Sequence, residues 1–220
     1  MEKPNISEVL EQRMKDGREY RSLEMRAVGE PDEMVVEGYA AVFDEPYLLH
    51  SEPGYKFYEV IARNALDQAD QSDVVMRYDH EGRVFARNSN STLMLTTDDH
   101  GYKVRGLLGG TDLGRQIYQE ISGGYTTRMS WAFKVAKDKR EIIEDEESGE
   151  VIFTRTILEV SKVYDVAPVA IPANDATEIS ARSYCDGVIA ELKAERLRAE
   201  AEAEERRKKV IAIKILAEAN

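Results

Sequence analysis

Alternation of apolar and polar side chains dominates the middle of this chain, and a period of two marks a strand with one buried face. The clearest run is 126–137. There Met129, Trp131, Phe133 and Val135 face one way, and Arg128, Ser130, Ala132 and Lys134 face the other. Residues 21–28 and 34–43 are apolar-rich runs on either side of Gly29-Glu30-Pro31-Asp32-Glu33, a turn signal, and predict a hairpin. A strand is expected at 73–79. A second hairpin follows at 91–97 and 102–108 around Asp98-Asp99-His100-Gly101. A third returns through 151–164 after an acidic tip at 144–150. Helical spacing appears at 7–16, capped by Ser7 and ended by Gly17, at 62–70, and at 112–122 with Asp112 as cap.

Many short strands with few helices predict a mainly β (α+β) fold. The expected form is a small closed β-barrel surrounded by a few helices, because closure removes exposed strand edges. The last 35 residues differ in kind. Residues 186–220 are rich in Ala, Glu, Lys and Arg and lack Pro, and 198–209 has only Ala as an apolar residue. That composition predicts a solvated helical tail laced by Glu–Arg pairs, with Val210 to Ala217 as a partner contact or a fraying end. The expected organisation is an N-terminal helical segment (1–20), a β-barrel domain (21–185) and a charged helical tail (186–220).

Charge sharpens this division. The chain of 220 residues has 42 acids and 30 bases, a net charge of −12. Residues 186–220 hold eight of each, so the whole excess sits in 1–185. Such a body should not bind nucleic acid by bulk attraction, which needs clustered Lys and Arg. A lone cysteine, Cys185, excludes an internal disulfide and fits a reducing compartment. No apolar run reaches the ~18 residues of a membrane span, and the opening residues lack a signal-like apolar stretch. The sequon Asn5-Ile6-Ser7 therefore carries no meaning, and the chain reads as soluble and intracellular.

Several chemistries are poorly served. His50, His80 and His100 lie far apart and pair with no Cys or His at metal-ligand spacing. The Glu144-Asp145-Glu146-Glu147 run lacks the alternating ligands of a calcium loop and reads as a solvated tip. Gly109-Gly110 and Gly123-Gly124 fit no phosphate loop, and there is no nucleophile elbow. What remains is a serine reading. Ser130 lies opposite the apolar face of its strand, His80 follows a strand end, and Glu159 lies mid-strand. A hydroxyl needs an imidazole to take its proton, and the imidazole needs an acceptor that fixes its tautomer. Taken singly, each of these residues is an ordinary strand or surface residue.

Their order adds weight. Glu37-Gly38-Tyr39-Ala40-Ala41-Val42-Phe43 is followed by Asp79-His80, Ser91-Thr92-Leu93-Met94-Leu95 and Asp99-His100-Gly101-Tyr102. Then come Gly123-Gly124, Met129-Ser130-Trp131-Ala132-Phe133, Leu158-Glu159-Val160-Ser161 and Val166-Ala167-Pro168-Val169-Ala170. Over 22–182 this succession resembles the prohead (procapsid) maturation proteases of tailed phages, which are distantly similar to the herpesvirus assembly protease. The stretch Ala62-Arg63-Asn64-Ala65-Leu66 departs from the family's Gly-Ala-Phe-like triplet, and Pro168-Val169-Ala170 from its Pro-Ala-Tyr.

The resemblance implies a small β-barrel and a serine endopeptidase that cleaves capsid and scaffold proteins, and itself, during prohead maturation. It implies Ser130 as nucleophile, His80 as general base and Glu159 as third member, with Asp165 and His100 as alternatives. Arg155 and Arg128 are expected either to assist the site or to form ordinary salt bridges. No cofactor or metal is needed. The implied partners are the major capsid protein and a scaffold segment, with self-association and without nucleic acid or membrane. The implied place is the host cytoplasm, inside the immature procapsid, with the tail as an encapsidation or scaffold-binding arm. A non-enzymatic capsid-assembly or scaffold protein that keeps the fold is the competing expectation.

Overall fold

The computed structural model describes residues 17–30, 32–145, 147–169 and 175–218, the last with side-chain surroundings for 184–211. Three hairpins come first: β1 (Arg18–Val28) with β2 (Val35–Val42), β3 (Tyr47–Glu52) with β4 (Tyr55–Ile61), and β5 (Val75–Tyr78) with β6 (Glu81–Arg87). A fourth pairs β7 (Leu93–Thr97) with β8 (Gly101–Leu107). Helix α1 (Asp112–Ser122) leads into the long hairpin of β9 (Arg128–Glu144) and β10 (Val151–Val169). Helix α2 (Asp175–Glu218) follows. The chain divides into two compact units, Met1–Ala181 and Arg182–Asn220.

The strands form one sheet in the order β3-β4-β10-β9-β1-β2-β8-β7, with β5 on β10 and β6 on β5. Two strands determine its path. The first half of β10 (Val151 to Ile157) takes β4 as a parallel neighbour, and further along Asp165 and Val166 take β5. In β1, Arg18 to Glu24 pair with β9, whereas Met25 to Val28 pair with β2. At this change of partner the strands approach so closely that a Cβ on Gly38 would lie 2.5 Å from the Glu24 carbonyl oxygen. Only glycine fits there.

The expected closed barrel is not what forms. The sheet is open, and among the described residues no pairing joins β3 to β7, its two ends. These edges are managed in other ways. β3 is short and bulged between Leu48 and His50, and β7 ends in two exposed threonines. Short, irregular, polar edges resist pairing without closure.

The alternation along β9 holds: Met129, Trp131 and Phe133 are fully buried, with Trp131 stacked on Phe133 at 4.0 Å. They join Val36, Ala40, Leu93, Val104, Ile157 and Val166 in one core, and each large side chain contributes about 1.5–3 kcal/mol by leaving water. Helix α1 adds Ile117, Tyr118 and Ile121. Its cap is Thr111, whose hydroxyl accepts from the Gly114 amide at 2.9 Å, and Asp112 lies one residue further in.

The helix expected at 62–70 is instead a series of turns, closed by Ala65 N to Ala62 O at 2.9 Å and Ala69 N to Leu66 O at 3.1 Å. Bringing Ala65 and Leu66 into the core fixes it. The helix expected at 7–16 lies outside the described residues. In the second unit, α2 is exposed from Ala190 to Ile211 apart from half-buried Leu192, and Glu204 and Lys208 pair along it at 2.8 Å.

Candidate active site

Ser130 sits on β9 between Ser22 of β1 and Ala167 of β10. Directly paired residues share a face, so its side chain points away from the Trp131 core. Small neighbours on that face, Ala132 and Ala167, leave room for a ring. The ring comes from a tight turn. Tyr78 pairs with Glu81, and the two residues between, Asp79 and His80, both have positive φ (46° and 59°). That is the backbone of a type I′ hairpin turn, usually given to Asn and Gly. The Asp79 amide donates to the Pro168 carbonyl at 3.1 Å and ties the turn to β10. A non-glycine pair in the left-handed region is held only where its surroundings over-determine it.

The turn delivers His80 to Ser130, with Nε2 2.7 Å from the serine Oγ. On the other side of the ring, Nδ1 meets the carboxylate of Asp165. Asp165 lies on β10 opposite Ala132, next to a register shift after Val163. A carboxylate only accepts, so Nδ1 carries the proton and Nε2 presents its lone pair to the serine hydroxyl. Tyr20 packs edge-on against the imidazole at 4.7 Å. Ser130, His80 and Asp165 are all buried, and the second oxygen of Asp165 lies 3.9 Å from Arg77 Nε.

Of the three expected residues, Ser130 and His80 come together and Glu159 does not join them. Glu159 is exposed, paired with Lys137 between two register shifts. It is six residues from Asp165, about 20 Å along an extended strand, so the two cannot reach one imidazole. His100 is exposed in the β7–β8 turn, with its ring against Tyr39 at 4.5 Å. Arg77 and Tyr20 were not anticipated. Their only signal is position, Arg77 three residues before His80 and Tyr20 on a strand beside Ser130.

Arg155 serves the opposite face. Glu59 is fully buried and receives Arg21 through Nε and NH2, both at 2.6 Å. The Tyr47 hydroxyl also donates to Glu59, and Arg155 reaches it at 3.3 Å. Arg155 forks onto Glu19 at 2.6 and 2.9 Å and bonds Asp138 at 2.6 Å. Burial alone would raise the Glu19 carboxyl, but the charges and hydrogen bonds of Arg21 and Arg155 hold it below the usual range. Burial and the Glu59 charge push the Tyr47 phenol well up. Arg128 lines an outer groove of about 490 Å³ with Glu24, Arg26, Glu37 and Lys103.

Among the described residues no group of three or more His, Cys, Asp or Glu is placed to hold a metal ion. No helix there is long and apolar enough to cross a membrane. A hydroxyl, an imidazole and a carboxylate in one hydrogen-bonded line are the parts of serine-dependent acyl transfer. The chain matches the family model of the caudovirus prohead serine proteases over residues 21–187, and it belongs to that family. Among solved structures it is similar to the bacteriophage T4 capsid assembly protease, gp21, at 11% identity, covering 70% of this chain and 98% of that one with a TM-score of 0.34. No curated protein matches it.

Proposed function

We propose that this chain is an active serine endopeptidase that cleaves capsid and scaffold proteins inside the immature procapsid, and also trims itself. The observation that carries the reading is the 2.7 Å contact between Ser130 Oγ and His80 Nε2, with Asp165 on the far nitrogen. Ser130 attacks the peptide carbonyl while His80 takes its proton. His80 then returns that proton to the departing amine, leaving an acyl-serine. Water, deprotonated by the same imidazole, releases the acid product. Asp165 fixes the tautomer and balances the imidazolium; Glu159 has no part in it.

Ser130 is wholly buried in this form of the chain, so a substrate strand reaches it only after local opening. The tail (186–220) acts as a scaffold-binding arm through helix-on-helix contact. The competing reading, a non-enzymatic assembly protein, is disfavoured by the intact hydrogen-bonded line. Co-expression with the cognate capsid protein tests the proposal. The wild-type chain should cleave the capsid protein and shorten itself, and Ser130→Ala should do neither. Identical products from both would overturn it.

A further inference from the structure

We propose that Arg77 is a positioning residue for the catalytic line, holding the second oxygen of Asp165 so that the first points at His80; this rests on the serine-protease reading. Asp165 gives one oxygen to His80 Nδ1, and its other oxygen lies 3.9 Å from Arg77 Nε. Among the described residues these are the only ionic partners of Asp165. Arg77 Nε is itself buried and has no hydrogen-bond partner there. A buried N–H left in that condition costs free energy, and structures rarely keep one without use.

The local backbone is shaped around this residue. The β5–β6 pairing shifts register on both sides of Arg77, between Met76 and Arg77 and again between Arg77 and Tyr78. Bulges of this kind re-aim side chains, and they collect beside active sites. The same hairpin carries His80 in its turn. One element therefore delivers both the imidazole and the cation to a single carboxylate on β10, and its docking sets their mutual geometry. At 3.9 Å the guanidinium is too distant to share a proton, and arginine does not give one up. It acts by charge and by restricting rotation of the carboxylate. Its effect is greatest when His80 becomes imidazolium and Asp165 must stay aligned.

Two variants and two measurements test this. In the full chain acting on its capsid protein, Arg77→Gln should lower kcat about tenfold with KM within about twofold, the pattern of an interaction felt in the transition state. Arg77→Lys keeps the charge but not the planar fork, so it should recover most of that loss and stay within about threefold of the parent. The second measurement is the low-field proton NMR signal of His80 Nδ1–H in the Ser130→Ala background, where no turnover occurs. It should persist in Arg77→Lys and broaden or move upfield in Arg77→Gln. Parental kcat in Arg77→Gln would overturn the inference. So would equal losses in both variants with the NMR signal unmoved. Should Arg77→Gln not fold, Arg77→Met, which keeps the side-chain length without the charge, takes its place: a roughly tenfold kcat loss with a displaced signal supports the inference, and parental values in both overturn it. If Ser130→Ala cleaves like the parent, the protease reading fails, whereas the NMR comparison still reports on Arg77.

Discussion

Strands β1, β9 and β10 carry two buried polar clusters on their opposite faces, and the clusters are wired differently. On the core face, Arg21 and Arg155 share Glu59 and Glu19, and Tyr47 and Asp138 fill the remaining valences. Each carboxylate there is bonded more than once or balanced by a planar fork. On the outer face the partners form a line: Asp165, His80, Ser130. Its cation, Arg77, stands off at 3.9 Å with a buried Nε unbonded. Saturated ionic clusters hold strands together; when one partner is removed they lose stability. A line with a hydroxyl at its end keeps a bond to offer a substrate. The central members of both clusters are equally buried, so residue type and connectivity are what separate them.

The largest effect should come from changing the line at its carboxylate end. Asp165→Asn keeps the shape but lets the amide donate to Nδ1, which puts the imidazole in the wrong tautomer. Cleavage of the capsid protein should fall on the order of 10⁴-fold. The melting temperature should move little, because the hydrogen-bond count is preserved. Retained activity in Asp165→Asn would show that another group orients His80.

Cutting the other cluster should do the reverse. Glu59→Ala leaves two buried guanidinium groups short of a partner and removes the acceptor of Tyr47. Unfolding free energy should drop by about 3–5 kcal/mol, as it does when one partner of a buried pair is deleted. Whatever remains folded should cleave within a few-fold of the parent rate. The same cluster sets an acid limit. Because the Glu19 carboxyl is held below its ordinary value, the stabilisation it brings is present above the usual glutamate range near ~4.3 and is lost as pH falls through its lower folded value. Denaturant melts between neutral and acid pH should show this at no more than about 1.4 kcal/mol per pH unit for the one proton, and Glu19→Gln should flatten it.

Legibility in sequence followed the strength of local pattern. The β9 alternation, the β7–β8 turn and the α1 helix were readable because period and punctuation agree there. β6 was not readable, since its first four residues are exposed and give no alternation. Nor was β3, whose bulge breaks the period at Leu48 and His50. The path of the sheet depends partly on where β1 changes partners, a non-local event whose sequence mark is Gly38. In the site, strand face and strand end made Ser130 and His80 candidates, and only the ordered motifs of the resemblance gave them roles. The third member was harder, because β10 is bulged three times between Ile157 and Lys162 and once more before Asp165. Each bulge changes which face a residue meets, so counting by two from any fixed residue fails along this strand.

Glu159 gives the smallest expected effect and the cleanest check on that account. Glu159 is exposed between the buried Ile157 and Val160, and it faces Lys137, also exposed, across the ladder. An exposed pair of this kind is worth about 0–1 kcal/mol, because water screens both charges and two long side chains lose freedom to meet. Glu159→Gln should therefore change unfolding free energy by less than about 0.5 kcal/mol and leave cleavage within about twofold of the parent. The decisive quantity is the ratio of the two carboxylate variants. If Asp165→Asn and Glu159→Gln slow cleavage equally, strand position on β10 does not decide which carboxylate serves His80. If the ratio approaches the expected ~10⁴, Asp165, next to the bulge after Val163, is the working acid and Glu159 is not.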